Sequence, residues 1–255
     1  MKITRKDFLR LSGLSFLAAG AAGAARAIAG RGSSAEGRQA AAPVRWGMVV
    51  NLEKCRKEEG CDACIGACNT AHNIPHFSDP RHEVKWIWTE PFGTVFPFSQ
   101  SGYAERSDVH LPVPLMCNHC ADPPCVHVCP TQATWKRDDG IVMMDWHRCI
   151  GCRYCMAACP YGSRSFNWLD PRPAIASINP DFPTRSKGVV EKCNFCEERL
   201  ATGISPACVE ACPEKALVFG NLADPDSEPR QLLRTRFAIQ REPELGTGPS
   251  VYYLV

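Results

Sequence analysis

No stretch of this 255-residue chain beyond residue 29 approaches the roughly 18–20 apolar residues that a membrane-spanning helix needs. The body of the protein is therefore expected to have no span of its own and to be held at a membrane, if at all, by a partner. Charge of one sign is equally scarce. Lys and Arg number 29 against 27 Asp and Glu, a formal net charge of +2, so nothing suggests nucleic acid. The chain also offers no nucleophile–base pair, no phosphate-cradling glycine loop and no open metal site, which excludes the usual marks of independent catalysis.

What the chain has is cysteine: sixteen, in four sets of four, with none left over. The sets are Cys55, Cys61, Cys64, Cys68; Cys117, Cys120, Cys125, Cys129; Cys149, Cys152, Cys155, Cys159; and Cys193, Cys196, Cys208, Cys212. The third reads C-x2-C-x2-C-x3-C-P, the bacterial ferredoxin run in which three closely spaced thiolates serve one [4Fe–4S] cube and the cysteine before proline serves the other cube of a pair. The second and fourth sets are variants, with four and eleven residues before the third cysteine; the first opens C-x5-C and lacks the proline. In every set the last cysteine follows the third by four positions, one helical turn farther along the same side. Four runs imply four clusters.

Two other uses of the cysteines compete. A disulfide framework suits an oxidising compartment, but pairs such as Cys61/Cys64 and Cys152/Cys155 sit too close for most structural bridges. A zinc-stabilised binding module without redox role is the sharper rival, because C-x2-C recurs in zinc ribbons; such sites do not need a third and fourth cysteine at C-x3-C-P spacing.

Residues 1–29 read as an export signal. Thr4 to Arg10 resembles the twin-arginine pattern, with Lys6 in place of the second arginine, then an Ala/Gly-rich stretch and an A-x-A site at Ala27-Ile28-Ala29. Residues 30–43 are a Gly/Ser/Ala linker. Residues 44–255 make the body, expected to be an α+β fold of tandem two-cluster ferredoxin-like modules with a pseudo-twofold internal repeat, long inserts and a C-terminal helix. The repeat is visible in the approaches Val49 to Cys55 and Met143 to Cys149, and in the exits Cys129-Pro130 to Thr134 and Cys212-Pro213 to Leu217. Asp139-Gly140 predicts a hairpin joining 133–136 to 141–144. The second and third sets then form an inner module, 112–168; the first and fourth pair across the chain as an outer module, 44–76 plus 187–222.

Several side chains tempt a functional reading. His119 and His127 lie inside the second set, but sixteen cysteines already supply every ligand, which favours supporting or surface roles. Lys54, Arg148, Arg153 and Lys192 adjoin cluster cysteines, where positive charge would raise a potential, or else they are solvated. Phe77, Trp86, Trp88, Phe92, Phe96, Phe98 and Tyr103 crowd the insert between the first two sets, with Val84, Trp86 and Trp88 spaced as in a strand; core packing is favoured over partner docking. Ser227 to Gln240 predicts a helix capped by Ser227, with Pro229 in its first turn and Leu232, Leu233 and Phe237 apolar.

With four such runs in this order, the chain resembles the four-cluster ferredoxin-like iron–sulfur subunits of bacterial membrane oxidoreductases, the DmsB/PsrB-like group of dimethyl sulfoxide, polysulfide, thiosulfate and tetrathionate reductases. Lys187 to Cys196, Cys208 to Pro213, Glu244 to Thr247 and Val251 to Leu254 carry the likeness. The long first set, Ala71 to Pro75 and Pro183 to Lys187 look like the DsrO type, exported subunits of DsrMKJOP complexes of sulfur and sulfate metabolism. By analogy with two-cluster ferredoxins, the resemblance implies one cluster on Cys117, Cys120, Cys125 and Cys159 and its neighbour on Cys149, Cys152, Cys155 and Cys129. It implies another on Cys55, Cys61, Cys64 and Cys212, and the last on Cys193, Cys196, Cys208 and Cys68. The implied role is electron transfer through four [4Fe–4S] clusters in the periplasm, with no catalytic site of its own. The implied partners are a quinone-handling polytopic membrane subunit of NrfD/PsrC (DsrP-like) type and, for the DsrO type, a periplasmic multihaem cytochrome c. The alternative within the class is the electron-transfer subunit of a molybdopterin polysulfide, thiosulfate or tetrathionate reductase.

Overall fold

In the computed structural model, residues 44–56, 60–97 and 110–255 are described; the expected export signal, the linker, Phe98 and Tyr103 lie outside them. The first strand, β1 (Trp46–Asn51), alternates between two hydrophobic clusters, because successive side chains leave a strand on opposite faces. Met48 and Val50 join the larger core while Val49 joins a smaller one. Asn51 ends the strand and accepts a hydrogen bond from the Lys54 N–H (3.0 Å), starting the single helical turn α1 (Leu52–Cys55). Then come α2 (Ala63–Ala71), β2 (Ile87–Pro91), α3 (Phe92–Val95) and β3 (Pro112–Met116). The middle of the chain holds α4 (Pro124–His127), β4 (Thr134–Lys136), β5 (Val142–Met144), α5 (Tyr154–Ala157), β6 (Ser165–Phe166) and β7 (Val190–Glu191). The last part holds α6 (Glu197–Leu200), α7 (Ala207–Glu210), β8 (Leu217–Asn221), α8 (Glu228–Thr235), β9 (Ala238–Ile239) and β10 (Val251–Leu254).

The fold is α+β. Among the described residues one four-stranded sheet runs β8-β1-β10-β9, with β1 antiparallel to β8 and parallel to β10, and three two-stranded ribbons pair β2 with β3, β4 with β5 and β6 with β7. The β4–β5 ribbon is the hairpin predicted at Asp139-Gly140. Leu217, Val251 and Tyr253 join Met48 and Val50 on the sheet face that packs against cysteine-bearing loops. Val218 and Leu254 join Val49 on the other face, covered by Leu232 and Leu233 of α8. Among the described residues no helix is long and apolar enough to cross a membrane.

Two local expectations need correction. The C-terminal helix ends at Thr235 rather than Gln240, because Arg236 turns extended (φ −123°, ψ 149°) and Ala238–Ile239 are taken into the sheet beside β10. Phe237 is consequently exposed, and the Ser227 hydroxyl donates to the carbonyls of Asn221 and Asp224 instead of capping α8. In the insert, the strand starts at Ile87 rather than Val84. Trp86 is buried, stacked on His72 at 4.6 Å with its indole N–H donated to Glu191 (2.9 Å), so it serves the core.

Candidate metal centres

Each cysteine set presents its third member from a helical turn: Cys64 from α2, Cys125 from α4, Cys155 from α5 and Cys208 from α7. Cys129, Cys159 and Cys212 follow just beyond the last three turns, which cannot continue through Pro130, Pro160 and Pro213. The first set has Asn69 at that place, and α2 runs on past Cys68 to Ala71. After all three prolines the chain turns through the left-handed region, at Gln132 (φ 52°), Gly162 (φ 65°) and Lys215 (φ 49°). At the first and last of these turns the N–H groups of Ala133 and Ala216 are directed onto Cys129 Sγ and Cys212 Sγ, each at 3.2 Å. His119, Arg153, Phe195 and Cys196 also take positive φ between or at cysteines, a conformation costing about 1–2 kcal/mol in a non-glycine residue. Phe195 N–H reaches Cys193 Sγ and Ala207 N–H reaches Cys196 Sγ, both at 3.4 Å. The backbone is bent to give sulfurs hydrogen-bond donors, which favour the thiolate.

All sixteen thiols are free of disulfides, and the electrostatic influences among them bring together cysteines from different sets. In a first group, burial pushes Cys55 up to about 11, helped by Cys212 and Cys61; burial pushes Cys64 up to about 12, helped by Cys55, Cys212 and Cys61. In the next, burial raises Cys68 well above its ordinary value, with Cys193, Cys208 and Cys196 adding to it. In the third, burial takes Cys120 to about 12 with contributions from Cys117, Cys125 and Cys159, and these four thiols line one cavity with Tyr161 and Arg164. Around the fourth, Cys129, Cys149 and Cys155 border a core containing Cys125 and Val190, while Cys152 is exposed. Cys129 differs from the others: burial pushes its thiol up, but donors at Thr134, Thr131 and Ala133 together hold it below its ordinary value.

Influences between groups run in one order. Cys64 acts on Cys68 and Cys208, Cys117 acts on Cys193, and Cys125 acts on Cys155. The middle step is reinforced by the His119 and Phe195 rings, stacked at 3.7 Å, one from the Cys117–Cys120 loop and one from the Cys193–Cys196 loop. Crowded buried thiols that raise one another's pKa keep their protons unless a cation stands among them to compensate the thiolates, and a soft polynuclear cation meets that need. The donor set fits a [4Fe–4S] group.

The cations divide by burial. Lys54 and Arg148 are exposed, Arg148 beside Asp145 at 3.4 Å, and Arg153 lies over the Phe166 and Trp168 rings. Lys192 is not solvated: it is 2 % exposed, and its ammonium donates to the carbonyls of Val142 and Cys193. His127 is a surface residue paired with Asp122 (2.7 Å). His119 is fully buried; its Nδ1 accepts from Val142 N–H (3.0 Å), which places the ring proton on Nε2, an atom without a partner among the described residues. Burial, then Lys192, Arg45 and Arg164, hold its pKa far down, so the ring is neutral. Sequence reasoning missed Arg164, five residues beyond Cys159. Burial opposes its charge, but Cys125, Cys155 and Cys117 outweigh that and raise its pKa. Only its basic character beside a cysteine run could have flagged it.

Residues 109–172 and 179–222 match the 4Fe-4S dicluster domain family. The chain is 42 % identical over 229 residues to the Hdr-like menaquinol oxidoreductase iron-sulfur subunit 1 of Archaeoglobus fulgidus, covering 82 % of each. It is 38 % identical over 236 residues to the menaquinone reductase iron-sulfur cluster-binding subunit of Nitratidesulfovibrio vulgaris, covering 83 % of this chain and 89 % of that one. It is 35 % identical over 259 residues to a tetrathionate reductase subunit of Salmonella typhimurium, spanning 100 % of this chain and 89 % of that one.

Proposed function

This chain belongs to the family of iron–sulfur electron-transfer subunits of oxidoreductase complexes and carries multiple [4Fe–4S] clusters, and on that premise we propose that it is a four-cluster wire of the DsrO type. The ligand sets are Cys55, Cys61, Cys64, Cys212; Cys68, Cys193, Cys196, Cys208; Cys117, Cys120, Cys125, Cys159; and Cys129, Cys149, Cys152, Cys155, arranged as two pairs related by a pseudo-twofold repeat. The observation that carries this reading is the single-file order of thiol groups, with an exposed cysteine at each end, Cys61 and Cys152, and the other fourteen buried or half-buried. Electrons need a short exposed step at each end and insulation between. Bound clusters supply one-electron couples. The N–H donors on Cys129, Cys193, Cys196 and Cys212 lower the cost of adding negative charge there, and the cores around Trp86, Phe182 and Val190 keep water from the interior sulfurs.

At the Cys152 end, Ile150 and Tyr154 are exposed beside Arg148 and Arg153 in the sequence, and Arg153 lies over Trp168, exposed together with Leu169, a surface suited to a redox partner. We assign the chain a quinone-handling membrane subunit of NrfD/PsrC type and a periplasmic multihaem cytochrome c as partners, with residues 1–29 sending it across the membrane folded. Relatives named for menaquinol and menaquinone support the quinone side. The tetrathionate reductase relative supports the second reading, a subunit serving a molybdopterin catalytic chain. Iron and sulfide analysis with electron paramagnetic resonance during a reductive titration tests the wire: about sixteen irons and interacting reduced-cluster signals are expected. Zinc, or fewer than about eight irons after reconstitution, overturns it. Affinity purification of the full complex from its own cells separates the readings, by haem or by molybdopterin in the isolate.

A further inference from the structure

Arg164 is a buried cation with no carboxylate against it among the described residues. It is 5 % exposed, and its guanidinium donates to Cys125 Sγ (3.0 Å), Thr134 Oγ1 (2.9 Å) and Met144 Sδ (3.6 Å). Its charge also acts on Cys155, which belongs to the next group of thiols. The contrast with Arg185 is direct: that equally buried guanidinium is neutralised by Glu191 at 2.6 Å. A buried charge left unpaired is strongly destabilising, so a fold that keeps one supplies a counter-charge. Among the described residues, the groups able to carry negative charge beside this guanidinium are cysteine sulfurs from two groups.

From this geometry we infer that Arg164 is the shared counter-charge of the Cys117 and Cys149 groups and biases both toward the reduced state. The inference rests on the cluster-wire reading above. Cys125 enters from α4 and Cys155 from α5, and the Cys159-Pro160-Tyr161-Gly162-Ser163 turn carries Arg164 back between them. Thr134 at the start of β4 and Met144 at the end of β5 hold the guanidinium from the opposite side, so it cannot swing to solvent. Each reduction adds one electron from the external reductant, with no bond made or broken and no proton required, and the fixed positive charge offsets the added negative one. Thr134 and Met144 are positioning residues for that charge. A unit charge ~6 Å away in a medium of effective dielectric near 20 biases such a step on the order of 100-fold; partial relaxation leaves at least tenfold. The two groups nearest Arg164 should accordingly be the more easily reduced half of the chain.

The test is a potentiometric titration, read by electron paramagnetic resonance, of the anaerobically purified full protein as wild type, Arg164→Met and Arg164→Lys, with iron counted in each. In Arg164→Met two of the resolved couples are expected to become at least tenfold harder to reduce, a fall of about 59 mV or more per couple, while the others hold. Arg164→Lys keeps the charge and is expected to stay within tenfold of wild type. The inference is overturned if Arg164→Met leaves every midpoint within twofold of wild type, or if Arg164→Lys falls as far as Arg164→Met. Should Arg164→Met lose iron, the lysine variant decides alone: retained iron with midpoints within tenfold supports a charge role, and a larger fall refutes it. A wild type with no reducible clusters fails the underlying reading instead.

Discussion

Arg185→Met tests whether a buried ion pair, rather than the clusters alone, sets the stability of the outer half. Neither the Arg185 nor the Glu191 side chain has exposed surface, and they meet twice, through Nη2 (2.6 Å) and Nε (2.8 Å). The same guanidinium donates to the carbonyls of His72, Asn73 (2.9 Å) and Pro183 (3.1 Å) and lies near the Trp86, Trp146 and Phe182 rings. It thus ties the segment after Cys68 to the segment before Cys193, two cysteines of one group. Methionine keeps much of the stem's packing but leaves Glu191 with only Trp86 and Asn167 as side-chain donors among the described residues. Breaking a buried pair from one side costs about 3–5 kcal/mol, since the remaining charge is uncompensated. At roughly 2–4 °C per kcal/mol for a domain of this size, the holo-protein should melt about 6–20 °C lower, measured anaerobically by near-UV circular dichroism. Adding Glu191→Gln removes the stranded charge and should recover part of the loss. A single variant within about 1 kcal/mol of wild type, or a double variant no better than the single, refutes the argument.

Other outcomes follow from the same geometry. Cys64→Ser should lower iron content by about a quarter and leave the remaining signals, since the thiol groups are separate sites; loss of all iron, or none, contradicts the grouping. Gly151→Ala should destabilise by about 2 kcal/mol or more, because φ is +70° and the new Cβ would stand 2.3 Å from the Gly188 carbonyl oxygen; a melting temperature unchanged from wild type would remove that reading. His119→Phe retains a ring against Phe195 but strands the buried Val142 N–H, costing about 1–3 kcal/mol; faster amide exchange at Val142 should report it.

Much of the site was legible because cysteine ligation depends on spacing within short runs, which the chain carries on its face. The four-residue spacing of each set's last two cysteines foretold a helical turn at the third, and Asp139-Gly140 foretold the β4–β5 hairpin. Local chemistry decides both. The helix after Ser227 was overextended because its apolar pattern continues to Phe237 while the pairing of Ala238 and Ile239 with β10 is a long-range choice invisible to periodicity. The strand expected from Val84 begins only at Ile87 for a similar reason: Trp86 is held outside it by His72 and Glu191 from distant segments. By itself the sequence determined what the chain can hold, since sixteen thiols in ferredoxin-like runs admit few chemistries. Only the tertiary structure decided which of the flanking cations leave water, and that Arg164 rather than Arg148 or Arg153 meets the sulfurs. Burial and charge pairing are properties of segments brought together from across the chain, and no window along it contains them.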